Sequence, residues 1–418
     1  MKIKLKTRDI LLYLFLIPFL HPRGFDEYFG WYKNFFTIWM YLAMAIGIFY
    51  FVYSVFGLRM RYPKCILAMM LYFGLMAIIT LCKMGSFNGG LQKIFAAPVL
   101  CMLCAFFAET NGERLIEVLE NILFVVFGLN IIVFNPGLFN HYFSARDEQL
   151  HLLFIGHVQI AAQLGLLGLY VACLSSNIKG KAMFRSKLLI VFSAFTMLMS
   201  FTSASMIVLV ILFIGGLYIR LSRTGKLLKH DSRLYVVGYF LLDAILMLYL
   251  YTNGWLFQLF GLNINGRGYI WEQVYNKFSE SPWVGYGVKG VLVKVFWSIW
   301  VGDGQGMNYT HNQIFQVLLD GGIILFLSFG LFLFTFTKCM KKNLEDKTLK
   351  FSNLCLIGML FVMIFESVFE YHYVILLFSL FAFCTGKEYI EREKYNMGIY
   401  EKVKSTFSKN IIHGGLEG

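Results

Sequence analysis

Two short stretches carry side chains suited to proton transfer and anion binding: Tyr309-Thr310-His311-Asn312-Gln313 and Asn265-Gly266-Arg267-Gly268-Tyr269-Ile270-Trp271. Thr310 followed three residues later by Gln313 is a capping-box pattern, which predicts a helix opening here with His311 at its first position. The unpaired N–H groups of a helix start attract anions. The same positive end favours the neutral imidazole that a general base needs. The alternative is a plain interfacial histidine. Arg267 offers a fixed charge and a planar fork that grips phosphate oxygens bidentately. Its flanking glycines let the backbone approach a bulky ligand. The alternative is a solvated loop arginine.

Other residues could join this chemistry. Glu366 and Glu370, beside His372, close an apolar run. Acids at membrane depth are costly and default to functional candidates. They are read as secondary base or ligand-binding groups, with a salt bridge to Arg267 or Arg146 as the alternative. Arg146 stands in Phe143-Ser144-Ala145-Arg146-Asp147-Glu148-Gln149-Leu150-His151, and His157 follows. His157 is either a ligand contact or a buried packing group. Gly266, Trp271, Tyr286 and Asn312 complete the proposed substrate contacts. Asp243, inside an apolar run, receives no role.

Such side chains need a frame, and the composition names its solvent. The chain has 418 residues, 58% hydrophobic and only 15% charged, with mean hydropathy +0.65. Soluble proteins average about a quarter charged, so the excess apolar surface must face lipid. Twelve apolar runs are long enough to be spans: about 9–21, 34–56, 64–82, 92–108, 115–134, 152–175, 187–201, 204–220, 234–252, 313–337, 351–369 and 371–387. In lipid such runs must be helices, because backbone amides there find no other partners. With the N-terminus inside, 28 of the 37 Lys and Arg fall in inner segments and 9 in outer ones. That bias supports an even span count with both ends cytoplasmic. The expected fold is all-α: a polytopic bundle over 1–387, an external loop at about 253–312, and a cytoplasmic tail over 388–418.

The loop is longer than most connections and is therefore read as functional. Within it, Ile270, Trp271, Val274, Tyr275 and Phe278 share a helical face that Ser281-Pro282 ends. All eight cysteines lie in or beside apolar runs, and the Cys101–Cys104 spacing lacks flanking ligands, so neither disulfide nor metal chemistry is expected. Phosphate-binding GxxxxGK[ST], dinucleotide-binding glycines, H-E-x-x-H and an external D-x-D are absent. No cofactor, metal or nucleic acid is expected.

Two stretches carry a family likeness. Gly266-Arg267 through Gly287 resembles the G-R-x-x-x-W … P-x-x-G-x-G signature of the bacterial O-antigen ligase and polymerase superfamily. Tyr309 through Phe329 is similar to that family's H-N-x-x-L helix with its spaced glycines. His151 through Gln159 aligns with a capsule-polymerase element that keeps His157. Phe201 through Ser205 resembles a serine–arginine element whose arginine is missing here. The resemblance implies a glycosyltransferase of the bacterial cytoplasmic membrane, acting at its outer face. It would pass a glycan from polyprenyl pyrophosphate to the hydroxyl of another lipid-linked repeat unit. It implies Arg267 on the departing pyrophosphate, His311 as base, lipid in grooves between helices, and a chain-length regulator and a flippase as partners. A ligase acting on a different acceptor is the alternative within the family; a lipid-linked oligosaccharide flippase is the alternative outside it.

Overall fold

The computed structural model describes residues 7–26, 29–57, 62–83, 92–133, 152–180, 183–200, 202–222, 226–251, 267–291, 293–294, 306–307, 309–343, 346–369 and 371–383. Arg146, Gly266, Glu370, most of the long loop and the tail over 388–418 lie outside the described residues. The described chain is helical. Its helices are α1 (Thr7–Leu20), α2 (Gly30–Phe56), α3 (Lys64–Cys82), α4 (Ala97–Val133), α5 (Ala161–Ile178) and α6 (Phe184–Met199), then α7 (Ser203–Leu221), α8 (Ser232–Tyr251), α9 (Arg267–Glu280), α10 (Gln313–Asn343), α11 (Asp346–Phe365) and α12 (His372–Phe383). Two antiparallel ladders of two residues each accompany them: β1 (Leu152–Leu153) with β2 (Gly156–His157), and β3 (Val293–Lys294) with β4 (Gly306–Met307).

Among the described residues, seven stretches are long and apolar enough to cross a membrane: Gly30–Phe56, Lys64–Cys82, Asn111–Val133, Val158–Ile178, Ser203–Leu221, Gln313–Met340 and Thr348–Phe365. Ile10–Leu20, Ile94–Ala108 and His372–Ala382 are shorter apolar helices. Each of the twelve sequence runs contains helix, but 187–201 and 234–252 are not among these apolar stretches, 152–157 is the β1–β2 ladder, and 92–108 and 115–134 join in one element, α4, broken where Asn111 leaves helical geometry. The outer helices show where lipid lies. On α7 only Ser205 and Val208 are buried, while Phe213 and Ile214 stand out. A water-facing helix would not present that surface. The chain is a multi-pass membrane protein.

Under the future site, α10 packs along α3. Tyr72, Phe329, Phe332 and Phe369 form an aromatic knot whose ring centroids lie 5.0–5.7 Å apart for Tyr72–Phe329, Tyr72–Phe369, Phe329–Phe369 and Phe332–Phe369. Edge-on and tilted contacts of this kind add to area burial. Phe369 belongs to the turn between α11 and α12, so the knot fixes that turn against α10.

Helix α10 is not continuous. Gly322 has φ +61° and breaks it. The freed backbone groups are taken by the segment after α9: the Ile323 and Ile324 amides donate to the Pro282 and Trp283 carbonyls, and the Tyr286 and Gly287 amides donate to the Leu319 and Asp320 carbonyls. Four backbone groups that the break frees are paired in this way. It also requires close approach. A Cβ on Gly285 would sit 2.5 Å from the Leu319 carbonyl oxygen, and one on Gly322 2.4 Å from the Trp283 carbonyl carbon. Pro282, Gly285 and Gly287 are thus the means by which α9 is bolted to α10, which positions Arg267 relative to His311.

Candidate functional site

The sequence places Arg267 in a loop between glycines, but in the structure it is the first residue of α9. Ile270, Trp271 and Val274 form that helix's buried face, with Phe315 and Leu319 of α10 against them. Tyr275 is exposed instead, so the predicted apolar face is narrower than the spacing suggests. Trp271 is enclosed. Its indole N–H donates to the Thr310 carbonyl at 2.8 Å, and its ring stacks on Phe315. It therefore holds the turn before α10.

That turn differs from the capping box. Helix α10 begins at Gln313, and Asn312 caps it, accepting the Phe315 amide at 2.8 Å. This is the N3 capping bond of an asparagine cap. Thr310 donates its hydroxyl to the Asn312 carbonyl, and Gln313 turns its side-chain oxygen to the Val368 and Phe369 amides. His311 precedes the cap with φ +54°, a left-handed conformation that few residues other than glycine adopt. Such strain costs on the order of 1–3 kcal/mol and persists only where the surroundings enforce it.

The outcome is a convergence on Glu366, the first residue beyond α11. Arg267 Nη2 donates to Glu366 Oε1 at 3.0 Å, while His311 Nδ1 meets Oε2 at 3.2 Å. The Tyr309 hydroxyl donates to Oε2 at 2.7 Å, and the Tyr309 and His311 rings meet edge-on at 4.5 Å. Glu366 and His311 are each 3% exposed; the Arg267 side chain keeps 20%. The Arg267 guanidinium lies 5.9 Å from the Phe365 ring centre, and its enclosed Nε has no hydrogen-bond partner. The salt bridge from Arg267 to Glu366 is therefore formed, and His311 shares the same carboxylate.

Electrostatics follow from this packing. Burial pushes the Glu366 carboxyl up, but the hydrogen bond from His311, the Arg267 guanidinium and the Tyr309 hydroxyl outweigh it and hold the group below the usual carboxylate range. Burial, and then the adjacent Glu366 carboxylate, keep the Tyr309 phenol well above its ordinary value, so it stays a donor. An ionised carboxylate only accepts hydrogen bonds. The proton between Glu366 and His311 is therefore on Nδ1. In the neutral ring that leaves the lone pair on Nε2. A carboxylate that fixes a histidine tautomer in this way is the orienting arrangement of acid–base sites.

The other predicted residues distribute differently. Asn312 is fully buried within the framework of the turn. Tyr286 donates its hydroxyl to the Lys277 carbonyl and to Glu280, away from Glu366. His157 lies in the β1–β2 ladder, where Nδ1 accepts the Gln159 amide. That ladder leans on the end of α1 through Arg23 and Gly24, and Arg23 Nη2 in turn donates to His372 Nδ1 at 3.4 Å. Sequence reading missed Tyr309 and Ser367, whose backbone amide donates to the Tyr309 hydroxyl. The only available signal for Tyr309 was its position two residues before His311. Gln313, Gln316, Asp320 and Ser367 line a recess beside the site with Tyr72 and Phe369. Among the described residues, no three His, Cys, Asp or Glu side chains are grouped to hold a metal ion.

Comparison with known proteins adds one finding. Residues 188–330 match the family Wzy_C, described as O-antigen ligase. The match runs from α6 into the second half of α10. It includes Asp243, Arg267, the bolt at Gly285 and Gly322, and His311, and it ends before Glu366. The match spans 143 of the 418 residues and supports the O-antigen ligase/polymerase superfamily as the one this chain resembles. No curated protein matches the chain.

Proposed function

We propose, from the O-antigen ligase domain carried over residues 188–330, that this chain is a polysaccharide polymerase acting on polyprenyl-pyrophosphate-linked glycans at the outer face of the bacterial cytoplasmic membrane. The observation that carries the reading is the meeting of Arg267 and His311 on the two oxygens of Glu366. The acceptor is a hydroxyl of another lipid-linked repeat unit. Its oxygen attacks the anomeric carbon as the carbon–oxygen bond to pyrophosphate breaks, which inverts that centre. His311 Nε2 takes the hydroxyl proton, a task general bases perform with about 10²–10⁴-fold effect. Glu366 holds the ring and stabilises the imidazolium. Arg267 meets the charge that grows on the departing pyrophosphate, so its interaction strengthens in the transition state. The leaving group is already activated, so no nucleotide or metal step enters this scheme. Arg146, Gly266, Glu370 and His157 remain candidate contacts of the same substrate, while Trp271 and Asn312 serve it only by holding the turn that carries His311.

Within the same superfamily, the family's description favours a second reading, a ligase moving finished chains to a different acceptor. One experiment separates the two. Membranes carrying His311→Ala or Arg267→Ala should accumulate single-repeat lipid-linked glycan and lose long polymer. Normal polymer from both variants would overturn the site. If polymer forms normally on its lipid carrier but no longer reaches a final acceptor, the ligase reading replaces the polymerase. A tag inserted near Asp303 should be labelled from outside intact cells; protection there would reverse the assigned orientation. A chain-length regulator and a flippase would act on the same substrate before and during elongation.

A further inference from the structure

Helix α8 contributes a single carboxylate to the interior. Its sequence, Ser232–Tyr251, is otherwise apolar around Asp243. Asp243 is fully buried. An acid inside an apolar helix is expensive, and a well-packed hydrophobic residue usually stabilises such a position better than a buried charge. Stability alone does not account for it. Salt bridging does not either, because its polar contact is with an amide: Asn312 Nδ2 donates to Asp243 Oδ1 at 2.7 Å. The second oxygen of Asp243, enclosed, has no hydrogen-bond partner, and neither has the enclosed Tyr239 hydroxyl one turn away.

Asn312 is the residue next to His311, and its carboxamide is fully committed. Nδ2 donates to Asp243 and, at 3.0 Å, to the Ile364 carbonyl two residues before Glu366. Oδ1 accepts the Phe315 amide and caps α10. A carboxamide flipped by half a turn would aim its oxygen at two acceptors and its NH2 at a donor. The Ile364 carbonyl and the Phe315 amide select one orientation of Asn312, and the accepting oxygen of Asp243 reinforces it. That orientation ties the start of α10 to the end of α11, which are the two elements carrying His311 and Glu366. It also fixes the residue that follows the left-handed His311.

We propose that Asp243 is a positioning residue for the His311–Glu366 pair, acting through Asn312. The proposal rests on the reading of His311 as the base. Asp243 touches no substrate. It holds the cap so that the imidazole keeps its place against Glu366, and misplacement by about 1 Å is enough to cost about 10²-fold in rate.

The test uses the full chain in lipid nanodiscs, with lipid-linked repeat units as substrate and rates expressed per folded molecule. Asp243→Leu should lower kcat by about 10²-fold and leave KM within about twofold. Asp243→Asn retains an acceptor oxygen and should recover activity to within about threefold of the parent. Asn312→Ala should match Asp243→Leu, and the double variant should lose no more than Asn312→Ala alone. Parental kcat in Asp243→Leu, or losses that multiply in the double variant, would overturn the proposal. Should Asp243→Leu not fold, the coupling of Asp243→Asn to Asn312→Ala decides: the amide's effect must vanish once Asn312 is removed, and an undiminished effect refutes the link. His311→Ala runs beside these. An active His311→Ala sinks the catalytic reading itself, whereas an inactive one beside an unaffected Asp243→Leu sinks only the positioning role.

Discussion

Two buried carboxylates sit at opposite ends of the bundle and solve the same problem differently. Glu120, on α4, is fully enclosed. Ser186 and Ser175 donate to its oxygens at 2.5 and 2.8 Å, and Lys179 and Arg185 approach at 3.3 and 3.1 Å. These partners come from the end of α5 and the start of α6, so the cluster staples that hairpin to α4. Helix direction separates the two acids. Asn177, at the end of α5, meets Thr348 at the start of α11, and Glu366 lies beyond the other end of α11. The partners of Glu120 are two serine hydroxyls, an ammonium and a guanidinium, all donating to it. Glu366 instead holds a histidine, a phenol and one arginine, with the histidine in a strained backbone conformation. Burial and ion pairing are common to both clusters; only the one at Glu366 adds a partner that can change its protonation, held at a backbone cost.

The sharpest break of this comparison is chemical. Glu366→Gln keeps the shape but no longer fixes the Nδ1 proton, and should lower the transfer rate on the order of 10²-fold, as loss of an orienting group does. Glu120→Gln should leave the rate per folded molecule near the parent. Measured kcat per folded enzyme decides, and equal losses in the two variants would erase the distinction.

Stability should rank them the other way. Glu120→Ala leaves Lys179 and Arg185 beside an apolar interior without their carboxylate. Breaking a buried pair from one side costs about 3–5 kcal/mol, less here because both cations keep partial exposure. Denaturation in detergent should show the drop, and Glu366→Gln should lose less, since its one amide oxygen still accepts from Arg267 while its NH2 can donate to His311 Nδ1. A smaller effect tests the bolt between α9 and α10. Gly322→Ala forces a Cβ into the Trp283 backbone at φ +61°. It should cost about 1–3 kcal/mol and reduce activity by loosening Arg267 against His311. An unchanged melting curve and rate would show that the break in α10 is tolerated without the bolt.

How much of this was legible in the sequence depends on chain distance. The apolar runs announced their helices, because periodicity and length are local. Arg267 and His311 stood out by residue type within short motifs. Glu366 is visible as an acid closing an apolar run, with a salt bridge to Arg267 as one reading, yet its bond to His311 spans 55 positions and no local pattern encodes it. Asn312 displaced Thr310 as the cap because its side chain was already oriented by Asp243 and Ile364, both brought in by packing. The break at Gly322 was hidden for the same reason: a glycine in an apolar helix reads as tolerated until a second segment supplies the missing hydrogen bonds.

The smallest effect concerns acid. Glu366 is depressed below its ordinary value, so its stabilising bonds are fully present above the ordinary carboxylate value of about 4.3. They are lost as pH falls through the lower folded value, because protonation removes the charge that Arg267, His311 and Tyr309 bind. Between neutrality and about pH 5, this group should add no pH dependence to stability. Below that window the parent should lose stability faster than Glu366→Gln, whose amide does not titrate. Parallel acid denaturation curves for the two would mean that the carboxylate is held no more tightly than in the unfolded chain, and the contrast with an inert ion pair would lose its electrostatic basis.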